Sequence, residues 1–210
     1  YSSTATISIL ARKCKRIQTH EIPEYVSAMI LAISMMFLRF MILILIFSTS
    51  IFLDIYPYLL IMSATAAGIG IFIHKKHTIK GEREVIEETE TESNPLEFKV
   101  ALIFALLFVV FTFLTHYTLV YAGTGGLSIL SIATGLSDIT PFILNLLQGG
   151  NIPATIVGAC IMQAIISNIV VNMFYAIFFS SRRKEMLPYV WKGFLTVIGV
   201  NAVLLLIYYF

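Results

Sequence analysis

Long apolar runs, separated by short polar or basic segments, dominate the pattern along this chain. They occupy residues 22–53, 58–73, 96–121, 152–180 and 187–210. A helix needs about 20 apolar residues to cross about 30 Å of hydrocarbon, where its backbone must satisfy its own hydrogen bonds. The runs are too continuous for the alternating pattern of barrel strands. The pattern predicts an all-α integral membrane protein with about five transmembrane helices.

The segment at residues 122–150 breaks this pattern, because it is rich in Gly, Ser and Thr and places Gly135 and Pro141 close together. A helix cannot pass smoothly through that centre. Basic clusters follow three of the predicted helices, at 12–16, 75–80 and 182–184. Cytoplasmic loops tend to carry the excess of Lys and Arg. All three clusters lie in the cytoplasm only if residues 122–150 enter and leave the membrane on the same side. We therefore predict a re-entrant hairpin of two half-helices, with a broken crossing helix as the alternative.

Two stretches of the chain share an order of features. Ser3-Thr4-Ala5-Thr6 precedes Ile22-Pro23 and a long apolar run, and Ser137-Asp138-Ile139-Thr140 precedes Ile152-Pro153 and another. We interpret this order as a weak internal repeat, with chance similarity as the alternative. A re-entrant hairpin would make the two repeats inverted, as in many transporters.

These boundaries predict one transmembrane helical domain. Its first repeat covers residues 1–77, a polar, Glu-rich cytoplasmic loop covers 78–94, and the second repeat covers 95–210. The chain begins with Tyr1 and carries no signal-peptide pattern at its start. We expect it to be the C-terminal part of a longer protein.

Composition excludes several classes of protein. The chain is 58% hydrophobic and 12% charged, against about 25% charged in soluble domains. Its net charge of +2 is spread over loops, which predicts no nucleic-acid binding. Two cysteines in unlike settings predict neither a disulfide framework nor a zinc site. Hydrolase, metalloprotease and phosphate-loop motifs are absent from the sequence, so we predict no enzyme and no cofactor.

Ionisable side chains inside the apolar runs carry most of the functional signal. Arg39 lies in the first run and Asp138 in the interrupted segment. A charge at the bilayer centre costs roughly 2.5 to 3.5 kcal/mol on insertion scales, so such residues face protein or water. We predict that Arg39 and Asp138 lie in one interior polar cluster, where they face each other or a shared water-filled cavity. A purely structural ion pair is the alternative to a binding site.

Polar residues around this charge pair complete the candidate site. Asp138, its neighbouring hydroxyls and exposed carbonyls suit a cation, whereas Arg39 and half-helix N-termini suit an anion. Asn168 also fits a role in joining helices. The sequence does not identify which metal ion, if any, binds at this site. The predicted substrate- or ion-binding residues are Ser3, Thr6, Arg39, Ser137, Asp138, Thr140 and Asn168.

Several short motifs resemble, in the same order, the C-terminal membrane domain of unknown function in MgtC/SapB-type proteins. They are Ser2-Ser3-Thr4-Ala5-Thr6, Ala11-Arg12-Lys13, Met36-Phe37-Leu38-Arg39, Asn94-Pro95-Leu96-Glu97-Phe98, Gly135-Leu136-Ser137-Asp138 and Ser167-Asn168. The resemblance implies an upstream MgtC-like domain and a link to magnesium homeostasis. Where the family often has a second acidic residue, this chain has Thr140-Pro141, which weakens the case for a two-carboxylate metal site.

Together these features predict a transporter or channel-like domain for a small ion or solute. We expect a multi-pass protein of the plasma membrane that contacts the lipid bilayer and forms homo-oligomers. The alternative function is a non-transporting regulatory or scaffold subunit that binds another membrane protein through small-residue helix faces.

Overall fold

The computed structural model describes residues 3–14, 21–77, 96–149, 152–180 and 183–209. Within these ranges all regular structure is helical. The helices are α1 Ser3–Lys13, α2 Ile22–Phe47, α3 Thr49–His77, α4 Leu96–Thr134, α5 Thr140–Gln148, α6 Ala154–Phe179 and α7 Arg183–Tyr209. The Glu-rich loop predicted at 78–94 lies outside the described residues.

Five of these helices, α2, α3, α4, α6 and α7, are long and apolar enough to cross a membrane. The predicted class, an all-helical membrane protein with about five spans, is therefore confirmed. Most of α4 is exposed along its apolar length, whereas α6 is the most buried of the five. Helix α6 thus forms the centre of the bundle, and α4 contributes much of the surface that contacts lipid.

The gap between the apolar runs 22–53 and 58–73 predicts the first turn at Asp54 to Pro57, and this prediction is wrong. Helix α2 ends at Ser48, whose backbone is extended at φ −157° and ψ 97°. The Ser48 hydroxyl accepts a hydrogen bond from the Ile51 amide at 3.4 Å, and its carbonyl accepts one from the Phe52 amide at 2.9 Å. Ser48 therefore caps α3, and its capping bonds decide where the turn falls.

Asp54 and Pro57 consequently lie inside α3. Proline removes only one backbone donor, a loss that transmembrane helices commonly tolerate. Asp54 accepts a short hydrogen bond from the hydroxyl of Tyr208 in α7, so its carboxylate has a protein partner within the membrane-spanning part of the fold. Helix α7 also starts before the predicted residue 187 and contains Pro188.

Hydrogen bonds between helices fix their relative directions. The Ser27 hydroxyl donates to the Gly70 carbonyl at 2.7 Å and the Ser34 hydroxyl to the Ser63 carbonyl at 3.0 Å, so α2 and α3 are antiparallel. Gly193 of α7 packs against Ile30 of α2, which places the start of α7 beside the start of α2.

Helix α1 runs alongside α6 in the same direction. The guanidinium of Arg12, near the C-terminal end of α1, lies 4.8 Å from the ring centroid of Phe179, near the C-terminal end of α6. At its other end, the Ser3 hydroxyl lies 3.3 Å from the Met36 sulfur, in the middle of α2. Helix α1 therefore covers only half the depth of the bundle.

Basic residues collect at one end of the bundle, here called the basic end. It contains Arg12, Lys13, Lys75, Lys76 and Lys184. The opposite end contains the turn between α2 and α3, the start of α6 and the end of α7, where Gly158 packs against Ile55 and Tyr208. This segregation agrees with the positive-inside tendency that motivated the predicted orientation.

Helix α4 reverses direction at Gly123, the only described residue with positive φ (φ 61°, ψ −153°). Gly126 beyond the bend lies against Thr118 before it, since a Cβ on Gly126 would be 2.8 Å from the Thr118 methyl. Glycine is needed at 123 because side chains disfavour this conformation. Residues 96–122 and 124–134 are thus two antiparallel segments.

The second segment of α4 and helix α5 form the re-entrant hairpin, residues 124–148. Its first arm runs parallel to α6, with Ser131 bonded to Gln163 at 2.7 Å and Ser167 to the Ile132 carbonyl at 2.6 Å. Helix α5 then returns, and Gly149 lies beside Ile152 just before α6 starts. The hairpin enters and leaves at the opposite end, as the re-entrant prediction requires.

Candidate functional site

The tip of the re-entrant hairpin, residues 135–139, lies beside the middle of α6. The chain leaves the first arm in tight turns, with the Ser137 amide donating to the Thr134 carbonyl at 3.0 Å. A Cβ on Gly135 would be 2.2 Å from the Ser167 Oγ and 2.7 Å from the Ser167 carbonyl carbon. Only glycine allows this close approach, so Gly135 sets how closely the tip packs on α6.

Asp138 organises the start of α5. Its Oδ1 accepts hydrogen bonds from the Thr140 amide at 2.9 Å and from the Thr140 hydroxyl at 2.7 Å. A carboxylate beside a helix N-terminus satisfies an otherwise unpaired amide and complements the helix dipole. Pro141 follows in the first turn, where a missing amide hydrogen has little consequence.

Arg39 reaches this same hydroxyl from α2. Its Nη2 donates to the Thr140 Oγ1 at 2.5 Å, and its guanidinium lies 5.1 Å from the Phe40 ring centroid. Arg39 and Asp138 are therefore linked through Thr140, and no direct ion pair joins them among the described residues. Both side chains are exposed, so the prediction that they face each other in a buried interior is wrong. Asp138 does line an open cleft, as the alternative of a shared cavity allows.

A cleft of about 400 Å³ opens between the hairpin tip, α1 and α6. Most of its lining side chains are polar or small. The lining residues are Thr4, Ala5, Ser8, Gly135, Leu136, Ser137, Asp138, Asn168, Val171 and Tyr175. Three predicted residues, Ser137, Asp138 and Asn168, thus share one cleft, while Arg39 and Thr140 adjoin it through Asp138.

Asn168 fastens the hairpin tip to α6. Its side chain is 4% exposed, and its amide nitrogen lies 3.3 Å from the Gly135 carbonyl oxygen. Asn172, one turn further along α6, donates to the Asn168 side-chain oxygen at 3.0 Å. These bonds support the helix-joining role that the sequence left open for Asn168, and its place in the cleft also keeps the binding role open.

The two predicted residues of α1 do not line the cleft. Ser3 is bonded to the Met36 sulfur, and Thr6 is half-buried on another face of the short helix. In their place the structure presents Thr4 and Ser8, which are one helical turn apart and therefore lie on the same face. That four-residue spacing was visible in the sequence. Only the position of α6 shows that this face of α1 lines the cleft.

Tyr175 of α6 was also missed by sequence reasoning. It lies seven residues after Asn168, which puts both on one face of α6. Aromatic residues are frequent near the ends of transmembrane helices, so the sequence gives no signal that separates Tyr175 from its neighbours.

The described residues contain no group of three or more His, Cys, Asp or Glu side chains that could hold a metal ion. Cys14 and Cys160 are both buried thiols. The acidic residues of the 78–94 loop lie outside the described residues. The donors that the cleft itself offers are hydroxyl, amide and carbonyl oxygens together with the single carboxylate of Asp138.

Comparison with known proteins gives one curated relative, an uncharacterized protein of Aquifex aeolicus. It is 25% identical over 153 residues, which cover 71% of this chain and 63% of the relative. The chain therefore spans less than two thirds of that relative's length. No solved structure matches. The family model for a domain of unknown function, DUF4010, matches residues 1–180, and the chain belongs to that family.

Proposed function

We propose that this domain transports a small ion or polar solute across the membrane, with the cleft at the hairpin tip as its binding site. The observation that carries the proposal is the depth of this cleft. Asn168 lies 14 residues after the start of α6 and 11 before its end. At 1.5 Å per residue it is about 21 Å from the start of α6 and about 17 Å from its end, near the bilayer midplane. Interrupted helices at that depth are typical of transporter sites.

The charges around the cleft favour a small cation or a neutral polar solute over an anion. Asp138 lines the cleft, whereas Arg39 is bonded to Thr140 and is not among the lining residues. Among the described residues, both hydrogen bonds to Asp138 go to Oδ1. Its Oδ2 can therefore serve a ligand, alongside the hydroxyls of Thr4, Ser8 and Ser137.

Magnesium is the first cation to test, because the motifs resemble those of MgtC/SapB-type proteins. The same resemblance is the basis for proposing an upstream MgtC-like domain and a location in the plasma membrane. The proposed activity is movement of the ion or solute without chemical conversion.

Flux through reconstituted protein tests the proposal. Wild-type chain in liposomes is compared with Asp138→Asn, under gradients of Mg²⁺, Ca²⁺, Na⁺ and K⁺. We expect at least one ion to move and Asp138→Asn to reduce that flux by about tenfold or more, the scale on which even changes to the partners of metal ligands lower activity. Asp54→Asn is the matched control, since it removes a membrane-depth carboxylate that lies away from the cleft.

A scaffold role is the competing function, in which the domain binds another membrane protein or a second copy of itself. It is favoured by Gly68, Gly125 and Gly199, each of which has open space where a Cβ would lie. Such small-residue positions let a neighbouring helix approach closely. Absence of flux for every ion and for small polar solutes, together with a stable oligomer, would support this function over transport.

A further inference from the structure

A second cleft lies at the basic end of the bundle, between α3 and α7, and is separate from the hairpin tip. Its volume is about 550 Å³. The residues that line it are Gly68, Ile69, Phe72, Ile73, Lys76, Pro188, Tyr189, Lys192, Gly193 and Thr196. We propose that this lysine cleft binds one anionic phospholipid of the bilayer, with its phosphate between Lys76 and Lys192.

The two lysines approach the cleft from opposite directions. Side chains on a helix tilt toward its N-terminus, and α3 and α7 are antiparallel. Lys76, at the end of α3, therefore leans back into the bundle, and its Nζ lies 5.9 Å from the Phe72 ring centroid. Lys192 lies nine residues after the start of α7, so its side chain is directed toward the basic end. Both side chains are exposed, and both line the same cleft.

Charge complementarity identifies the occupant. No acidic side chain is among the lining residues, although two ammonium groups share the cleft. A single lysine near a helix end needs no partner because it reaches the interface by itself. Two lysines from neighbouring helices that share one cleft repel each other, and a phosphate between them removes that repulsion. Basic pockets between transmembrane helices are known headgroup sites.

The part of the cleft that lies farther from the basic end is apolar, so it can hold an acyl chain, which a free phosphate ion lacks. Gly68 has no atom within 4 Å of the place where its Cβ would lie, so the wall there is open. Phe72 and Ile69 supply apolar sides. On the inner side the cleft is closed, since a Cβ on Gly193 would be 2.4 Å from the Ile30 Cδ1. The cleft therefore opens outward to lipid.

Lipid binding to the purified full chain tests this proposal by native mass spectrometry. Phosphatidylglycerol and phosphatidylcholine with the same acyl chains are titrated against wild type, Lys76→Gln/Lys192→Gln and Lys75→Gln/Lys184→Gln. The last pair removes the same charge from the same end without touching the cleft. We expect wild type to prefer phosphatidylglycerol by roughly thirtyfold, because each of the two lysines contributes about 1 kcal/mol near an anionic headgroup. Only the cleft pair should lose this preference.

Two further measurements separate the acyl-chain contribution from charge. Gly68→Leu fills the open wall and should weaken phosphatidylglycerol binding, whereas Gly199→Leu, also at an open position but outside the cleft, should not. Millimolar inorganic phosphate should not displace the lipid. Displacement by phosphate would identify a free-anion site, and equal loss in both lysine pairs would identify general surface charge. A dimer mass in place of a lipid adduct would identify a second copy as the occupant, and each of these results overturns the proposal.

Discussion

Arg39 of α2 donates a hydrogen bond of 2.5 Å to the hydroxyl of Thr140, 101 residues away along the chain. The same hydroxyl donates to Asp138, so a neutral side chain stands between the two charges. This arrangement holds the guanidinium and the carboxylate in place without direct contact between them. It therefore leaves the carboxylate accessible from the cleft, which a direct ion pair would not.

Thr140 should consequently control both stability and function of the site. Thr140→Val keeps the shape but removes the hydroxyl that serves Arg39 and Asp138, and hydrogen bonds to charged groups contribute about 1.5–3 kcal/mol. We expect a lower unfolding temperature in detergent and reduced flux. Thr140→Ser keeps the hydroxyl and should retain both properties. A Thr140→Val protein as stable and active as wild type would show that the link through the hydroxyl is not important.

Gly135 should tolerate no side chain. Gly135→Ala drives a methyl group into Ser167, including its backbone carbon at 2.7 Å, so the hairpin tip or α6 must move. Overpacking of this kind costs about 1–3 kcal/mol. Thermal unfolding monitored by size-exclusion chromatography in detergent should show the loss.

Gly125→Ala is the matched control for that prediction. Gly125 lies in the same arm of the hairpin, and a Cβ there would meet no atom within 4 Å. Alanine is favoured over glycine in a helix by about 0.5–1 kcal/mol, so this variant should be neutral or slightly more stable. Equal destabilisation of both variants would contradict the close packing described at the tip.

The re-entrant hairpin makes a prediction about membrane sidedness. Thr124 and Gln148, at its two feet, are both exposed and lie at the opposite end of the bundle. In a chain whose two native cysteines are replaced, Thr124→Cys and Gln148→Cys should react with an impermeant thiol reagent from the same side. Lys75→Cys and Lys184→Cys should react from the other side. Labelling of Thr124→Cys and Gln148→Cys from different sides would mean that the segment crosses the membrane.

The Asp54–Tyr208 hydrogen bond should stabilise the contact between α3 and α7. Tyr208→Phe leaves the carboxylate without its donor, and a hydrogen bond to a charged group contributes about 1.5–3 kcal/mol. We expect a clear loss of thermal stability. Tyr209→Phe, which removes an exposed hydroxyl that accepts from half-buried Gln163, should have a smaller effect. Asp54→Asn combined with Tyr208→Phe should be less destabilised than the sum of the single changes.

The candidate site was only partly visible in the sequence. Asp138 and Arg39 were identifiable because an ionisable residue in an apolar run is costly and needs a reason. Thr140 was named with them, but its position between the two charges depends on how α2 meets α5. Thr4 and Ser8 were missed because a short helix with hydroxyls on several faces does not reveal which face meets the hairpin tip.

The sequence by itself determined the class of the fold, since long apolar stretches of the right length can only be transmembrane helices. It also located the break within residues 122–150, because glycine and proline interrupt a helix through their own backbone, although the close approach of Gly135 to Ser167 depends on the tertiary structure. The turn at Ser48 follows from local capping bonds, whereas tertiary structure alone decided that Asp54 lies opposite Tyr208. The physical reason is range: helix propensity and capping are local, whereas the cleft, the Arg39–Thr140 bond and the lysine cleft depend on contacts between residues far apart in the chain.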